Sequence, residues 1–405
     1  MKLCFLIYTY FPFGGQQRDF MRIVKASLQR GHQIHVFAFS WEGEIPEGVN
    51  WHQVPIKGLS RQARYRYYTD YVAKALPGLE ADCVLGFSKM PGLDIYFAAD
   101  ACFREKALTQ RGSYYRFTPR YRHFSAYEQA VFGPGGKTSA LLLSGLQQLA
   151  YLKHYPDCAE RLHLLPPGIS PDRKVEGRDQ DQRAAFREEL AYGADELLVL
   201  QVGSGFKVKG VDRSLRAIAS LPDKLRQRVR YILVGQDRAT RFLRLAKRLG
   251  LSDQVRVLPG REDIMRFFTG CDLLLHPAYE ESAGYVLLEA VIAGLPVLTT
   301  ASCGYANYVA QAEAGLVCDS PFTQQDLNTK LSTMLQSLQS APWSSNGLEF
   351  GKQDDLYTMP ESVVEYIERS VAARSEPTTG QIDKNANTDP IAGKSSDESE
   401  VEVST

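Results

Sequence analysis

The sequence predicts an α/β protein of two doubly wound parallel-sheet, Rossmann-like domains facing across a cleft. Three observations carry this expectation. An apolar run, a glycine turn and an amphipathic stretch open the chain; the same order restarts near residue 197; and a charged stretch without strand-like periodicity separates the two series.

Leu3 to Tyr8 reads as the first strand, and Gly14-Gly15 as the turn. Phe20, Ile23, Val24 and Leu28 recur at helical spacing, and Gly31 closes that helix. Gln33 to Phe39 completes a βαβ unit, with further strands expected at Cys83 to Phe87, Ile95 to Ala99 and Ala140 to Ser144. The pattern breaks at Leu165-Pro166-Pro167-Gly168, which marks a hinge, and the charged stretch from Arg173 to Glu189 follows. The second series has strands at Leu197 to Val202, Tyr231 to Val234, Val255 to Leu258, Asp272 to His276 and Val297 to Thr299. Its first helix carries Val211, Leu215 and Ile218. The expected division is therefore 1–166, 167–355, a helix within 356–374 whose apolar stripe (Val363, Val364, Tyr366, Ile367, Val371) must dock, and a disordered tail over 375–405. That tail is rich in Ser, Thr, Asp, Glu, Asn and Gly.

Composition excludes several classes. Lysine plus arginine equals aspartate plus glutamate at 47 each, so overall charge selects neither nucleic acid nor membrane. The seven cysteines fall in no C-x-x-C or zinc spacing, which suits free thiols in a reducing cytoplasm. No apolar run approaches the ~20 residues that span a bilayer.

The strongest local signal is Glu281-Ser282-Ala283-Gly284-Tyr285-Val286-Leu287-Leu288-Glu289, between a strand ending near His276-Pro277 and a helix stopping at Gly294. A helix opening near Gly284 aims free N–H groups and its positive dipole end into the cleft, a seat for a diphosphate. Glu281 before it and Glu289 on its second turn can each accept a pair of hydroxyl hydrogens, from a hexose and from ribose. Glutamates at this spacing are more often plain surface residues of an amphipathic helix; the glycines and the strand-to-helix position argue against that here.

Gly203-Ser204-Gly205-Phe206-Lys207-Val208-Lys209-Gly210 is a glycine-rich turn whose lysines are placed to neutralise a leaving diphosphate, and Arg173 is a further candidate clamp. In the first series, Gly14-Gly15 permits close backbone approach to a ligand. Asp19 lies one turn into the helix, where an acid also serves simply to stabilise the helix start. Asp100 follows a predicted strand at its carboxyl end, where open α/β sheets collect active-site residues. Arg104, Lys106, Arg111, Arg116, Arg120 and Arg122 interleave with Tyr114, Tyr115, Phe117, Tyr121, Phe124 and Tyr127. That mixture suits an anionic lipid surface or a phosphorylated glycolipid, RNA would use similar residues, and a solvated helix is the plain alternative. Asp179-Gln180-Asp181 has metal-nucleotide spacing but lies away from any strand end. Gly136-Lys137-Thr138 lacks the first glycine of a P-loop, with Val131 in its place, and no histidine pair has metal-ligand spacing.

Tyr10-Phe11-Pro12-Phe13-Gly14-Gly15, Gln17-Arg18-Asp19-Phe20-Met21-Arg22, Lys89-Met90-Pro91-Gly92-Leu93-Asp94, Pro166-Pro167-Gly168-Ile169 and His276-Pro277-Ala278-Tyr279 stand in this order. Together they resemble the lipopolysaccharide core heptose glucosyltransferase I family, retaining enzymes of glycosyltransferase family 4, from residue 1 to about 370. The resemblance implies the GT-B fold, with an acceptor-binding first domain and a donor-binding second. It implies transfer of a hexose, glucose foremost, from a UDP-sugar to a heptose of the lipopolysaccharide inner core, with α configuration retained, no cofactor and no metal. Carried over, Glu289 holds ribose and Glu281 the hexose hydroxyls, while the backbone from Ala283 through Gly284 and Tyr285 to Val286 binds diphosphate and sugar. Arg173 and Lys209 clamp phosphate, Arg261 lies beside uracil, and Gly14, Gly15 and Asp19 face the donor. Asp19, Asp100, Lys209 and Glu281 form the candidate catalytic set. The resemblance also makes the basic aromatic segment a contact with the inner face of the inner membrane, places the enzyme in the cytoplasm as a peripheral protein of a Gram-negative bacterium, and brings the last helix back onto the first domain; no nucleic-acid partner is implied. Two departures stand out: Val208 occupies the place where the family often has arginine, and Ser282 and Tyr285 differ from the versions associated with glucose. A UDP-GalNAc donor, or a UDP-sugar epimerase on the same fold, stays open.

Overall fold

The computed structural model describes residues 1–12 and 14–375; Phe13 and, beyond its first residue, the expected tail over 375–405 lie outside the described residues. The first sheet contains β1 (Lys2–Leu6), β2 (Gln33–Ala38), β3 (Val49–Gln53), β4 (Cys83–Gly86), β5 (Ile95–Ala98), β6 (Ser139–Leu142) and β7 (Leu162–Leu164). All are parallel, in the order β3-β2-β1-β4-β5-β6-β7. The second contains β8 (Leu197–Val202), β9 (Val229–Val234), β10 (Val255–Leu258), β11 (Leu273–His276), β12 (Val297–Thr300) and β13 (Gly315–Cys318), parallel in the order β10-β9-β8-β11-β12-β13.

The central strands read as unbroken apolar runs because helices cover both faces of each sheet. Cys4, Phe5, Leu273, Leu274 and Leu275 are wholly buried. The edge strands β3 and β13 are only partly buried and carry a weaker pattern. Both orders reverse at the domain's first strand, between β1 and β4 and between β8 and β11. Chains leaving neighbouring strands there diverge, which opens a crevice at the carboxyl edge of each sheet.

The helices that position the site are α1 (Gly15–Gln29), α2 (Arg61–Leu79), α3 (Phe103–Gln110), α4 (Pro119–Phe132) and α5 (Gly145–His154) on the first sheet. With the second go α6 (Gln180–Glu189), α7 (Val211–Ala219) and α8 (Tyr285–Ile292), and α9 (Met359–Ser375) ends the described chain. The charged stretch after the hinge folds as α6, and Asp179 is its N-cap, accepting from the backbone N–H of Asp181 at 2.8 Å and Gln182 at 3.2 Å. The aspartate that mimicked a metal motif is thus spent on capping.

At the hinge the Arg22 guanidinium donates to the Gly168 and Ile169 carbonyls, and the Ile169 N–H donates to Leu356 O at 3.0 Å. The chain then returns: α9 lies along α1, with Met359, Val363 and Ile367 in one core with Phe20, Ile23 and Val24. Full burial of such side chains contributes roughly 1.5–3 kcal/mol each. Arg30 pairs with Glu365 and Glu368 at 2.8 Å, fixing the helix at its rim.

Candidate active site

Two loops meet at the crevice of the second sheet. The first, from β8 to α7, carries Lys209 and then Gly210 at φ +72°; a Cβ there would lie 2.0 Å from the Pro277 carbonyl oxygen. Glycine is therefore required for this loop to lie on the second, which runs from β11 to α8 and carries Glu281. Gly284 ends the second loop at φ +94° as the N-cap of α8, whose first turn presents backbone N–H groups to the crevice.

The Lys209 ammonium and the Glu281 carboxylate are in direct contact. His276, the last residue of β11, is wholly buried; its Nε2 lies 3.5 Å from Glu281 Oε2 without hydrogen-bond geometry, and neither ring nitrogen has a hydrogen-bond partner among the described residues. Burial, reinforced by the charge of Lys209, lowers the His276 pKa to about 3, so the ring is neutral near pH 7. Burial also lowers the Lys209 pKa. The site thus holds a desolvated cation–carboxylate pair at a helix N-terminus, where charge interactions are strong and preorganised.

Across the cleft, Asp19 on α1 is buried and accepts a hydrogen bond from Tyr285 Oη at 3.0 Å. Burial raises its pKa to about 7, against the opposing effects of the Tyr285 hydrogen bond and the charges of Arg22 and Arg18. Glu289, on the second turn of α8, is also buried and raised by that burial, with Arg18 and Arg173 acting in the other direction. Arg18 Nη1 stands 3.9 Å from Glu289 Oε1. Arg18, Asp19, Arg22, Arg173, Tyr285 and Glu289 line a cavity of about 300 Å³.

A second cavity of about 230 Å³ opens on the other side of the 280–289 segment, lined by Glu105, Lys106, Gln110, Gln147, Glu280 and Glu281 among others. Its rim joins the domains: Lys106 Nζ lies 3.0 Å from Glu280 Oε2, the Gln110 amide donates to the same carboxylate, and Ser144 Oγ donates to Ser282 O at 2.6 Å.

The structure brings together Asp19, Arg173, Tyr285 and Glu289 at the first cavity, and Lys209 with Glu281 beside the second. Gly14 caps α1 and Gly15 opens it, next to Tyr10 and Pro12 of the first cavity. Ala283 is buried, and Val286 lies in the first turn of α8. Asp100 and Arg261 line neither cavity. The Asp100 carboxylate is held by Lys89 Nζ and Tyr96 Oη, both at 3.1 Å, while its neighbours Ala101 and Cys102 reach the second cavity. Arg261 is exposed beyond β10 and paired with Asp263 at 2.7 Å.

Four features escaped sequence reasoning: His276, Arg18, the cross-cleft reach of the Tyr285 side chain, and the clasp on Glu280. Arg18 and His276 both sit inside blocks that carry the resemblance, but their roles depend on how the two domains face each other.

In the basic aromatic segment, Glu128 is wholly buried and accepts from the N–H groups of Phe103 at 2.6 Å and Arg104 at 2.9 Å, anchoring the start of α3. Lys106 points to Glu280, whereas Arg111, Arg116, Arg120 and Arg122 are exposed with Tyr114 and Phe117.

Two doubly wound parallel domains that face across a cleft, with a cation and carboxylates at a helix start, define a glycosyltransferase of the GT-B class. Residues 182–347 match the family described as glycosyl transferases group 1. The lipopolysaccharide glucosyltransferase WaaG of Escherichia coli K12 is 46% identical over 368 residues, 91% of this chain and 98% of that protein. The crystal structure of WaaG, a glycosyltransferase involved in lipopolysaccharide biosynthesis, superposes with a TM-score of 0.83, covering 90% of this chain and 99% of that one at 45% identity. A sucrose-phosphate synthase from Thermosynechococcus elongatus shares the fold at 17% identity, with a TM-score of 0.73 over 92% of this chain and all of the other. The chain belongs to the lipopolysaccharide glucosyltransferase family.

Proposed function

We propose that the protein transfers a hexose, glucose foremost, from a UDP-sugar to a heptose of the lipopolysaccharide inner core, retaining the α configuration and using no metal. The observation that carries this reading is the contact of Lys209 with Glu281 beside the α8 N-terminus, with Glu289 and Arg173 at the adjoining cavity. The second domain is read as the donor domain, over 167–355, and the first, over 1–166, as the acceptor domain completed by the helix within 356–374. Diphosphate then rests on the N–H groups of Ala283 to Val286, with Lys209 and Arg173 compensating its charge. Glu289 takes the ribose hydroxyls and Glu281 those of the hexose.

Arrival of the donor diphosphate gives Lys209 a second anionic partner and frees Glu281 to accept from the sugar. The acceptor hydroxyl enters through the second cavity and attacks C1 on the face from which UDP leaves. The C1–O bond to phosphate breaks as the new C1–O bond forms, and the hydroxyl proton passes to a β-phosphate oxygen. Lys209, Arg173 and the start of α8 stabilise the leaving charge, a role in which one preorganised donor contributes roughly 3 kcal/mol. Fixed protein cations fill the part a divalent ion would play. Arg111, Arg116, Arg120 and Arg122, with Tyr114 and Phe117, are read as a contact with the anionic cytoplasmic leaflet that carries the acceptor.

Purified protein incubated with UDP-glucose, UDP-galactose or UDP-GalNAc and core-truncated lipopolysaccharide tests this. UDP release that depends on the truncated acceptor and survives EDTA is expected, with glucose transferred fastest. Interconversion of UDP-sugars with no acceptor present would replace the reading with an epimerase.

A further inference from the structure

We infer that residues 55–66, the turn before α2 and that helix's first residues, form a second lipid-contacting limb beside the basic aromatic segment, with an anionic bilayer surface as its occupant. The inference rests on the membrane contact proposed above and adds a site to it.

Leu59 is fully exposed and Ile56 is 60% exposed. Loose ends often display such residues, but this turn is built. Gly58 sits at φ +116°, where a Cβ would lie 2.9 Å from Arg64 N, so glycine is required. The Gly58 carbonyl accepts from Arg64 Nε at 3.0 Å, and Ser60 Oγ caps α2 by accepting from Ala63 N at 3.1 Å. The fold therefore holds a leucine out in water at a fixed position. Lys57, Arg61, Arg64 and Arg66 flank it in the chain, Arg64 reaching back to the turn, and no acidic residue occurs from 48 to 69. Apolar tips ringed by uncompensated cations match the boundary between headgroups and acyl chains, where the leucine is dehydrated and the cations stay among phosphates.

The limb adjoins the other one. Tyr65 meets Phe124 of α4 edge to face at 6.1 Å, and Tyr127 Oη of α4 donates to Thr69 Oγ1 of α2 at 2.9 Å. The second segment likewise has no acidic residue from 106 to 127, and it exposes Tyr114 and Phe117 at 86% and 77%. Two acid-free stretches joined by ring packing make one continuous cationic and apolar face.

The test is co-sedimentation of the full chain with phosphatidylethanolamine vesicles made with and without phosphatidylglycerol. Ile56→Ser/Leu59→Ser should lower the partition coefficient roughly tenfold or more at unchanged Tm, in low and high salt alike, because the lost contribution is apolar. Lys57→Ser/Arg61→Ser should lower it by up to ~25-fold, about fivefold per cation, only at low salt and only with phosphatidylglycerol present. Because all seven native cysteines are buried, Leu59→Cys can carry a polarity-sensitive dye at an exposed thiol, and its emission should shift to the blue on vesicles. Should Arg116→Ser/Arg120→Ser/Arg122→Ser weaken binding while the 56 and 59 variants do not, or should the dye stay in water, the second limb is wrong and the membrane reading stands. If neither set changes partitioning, both fail.

Discussion

The two sheets share one order over their first six strands and both reverse at their first strand, yet the chemistry at the two crevices is opposite. In the second domain the crevice holds a compact cluster, Lys209 on Glu281 with neutral His276 beneath, forced together by Gly210 and Gly284. In the first domain the position after β4 carries Lys89, which is buried and spent on Asp100 at 3.1 Å and Glu128 at 3.4 Å. That lysine braces the start of α3 and, through α3 and α4, the segment read as meeting the membrane. One crevice pairs its cation with a carboxylate at a helix start, where we read it as serving a ligand, and the other uses its cation as internal scaffolding. Topology fixes where a charge can stand; the partners already present decide whether it is available.

Replacement of Lys209 is the sharpest way to break this comparison. Lys209→Ala should lower kcat by ~100- to 1000-fold, as loss of one preorganised charge does, with Tm down by only a few degrees from the unpaired Glu281. An unchanged kcat would place Lys209 in the same scaffolding class as Lys89. Lys89→Met gives the converse: a large loss of Tm, with the KM for the UDP-sugar near the parent value in whatever fraction folds. Next in size, Glu289→Ala should raise that KM by ~10- to 100-fold with a smaller change in kcat, the loss expected when hydrogen bonds to a charged acceptor are removed.

Asp19 gives a subtler test through pH. Its folded pKa of about 7 lies above the ordinary value of 3.8 because burial disfavours the carboxylate. The native state therefore holds this proton over a range in which the unfolded chain has released it, so the stability contribution is full below pH 4 and falls as pH rises to 7. Asp19→Asn should remove that slope and raise Tm at pH 8 relative to the parent, while leaving Tm near pH 4 almost unchanged, as scanning calorimetry can show. The smallest effect belongs to Tyr285→Phe. Loss of the hydrogen bond to Asp19 should cost about 1 kcal/mol, seen as a modest drop in Tm.

Much of the fold was legible because central strands of parallel sheets are apolar on both faces. Leu3 to Leu6, Cys83 to Gly86 and Leu273 to His276 announce themselves without alternation. Three edge or near-edge strands did not: β7 has only three residues, β3 is the mixed run Val-Asn-Trp-His-Gln, and β13 is half-buried. At the site, Lys209, Glu281, Gly284 and Glu289 were legible as candidates because each lies in a loop or in the first two turns of a helix whose place is set by one domain alone. Tyr285 with Asp19, Arg18 with Glu289, and Lys106 with Glu280 join residues more than 170 positions apart across the cleft. No periodicity encodes that distance. The tail and Phe13 offer no comparison, since they lie outside the described residues.

Because α9 lies along α1 and fills part of its core, the amino-terminal half of the protein is finished by the last described stretch of chain. During translation the ribosome must deliver all of the second sheet before α9 can cover the face of α1 on which it packs. A nascent chain halted in the second domain would therefore expose an apolar helix face to any chaperone or aggregating neighbour, and the two halves, though each has its own sheet, mature as one unit.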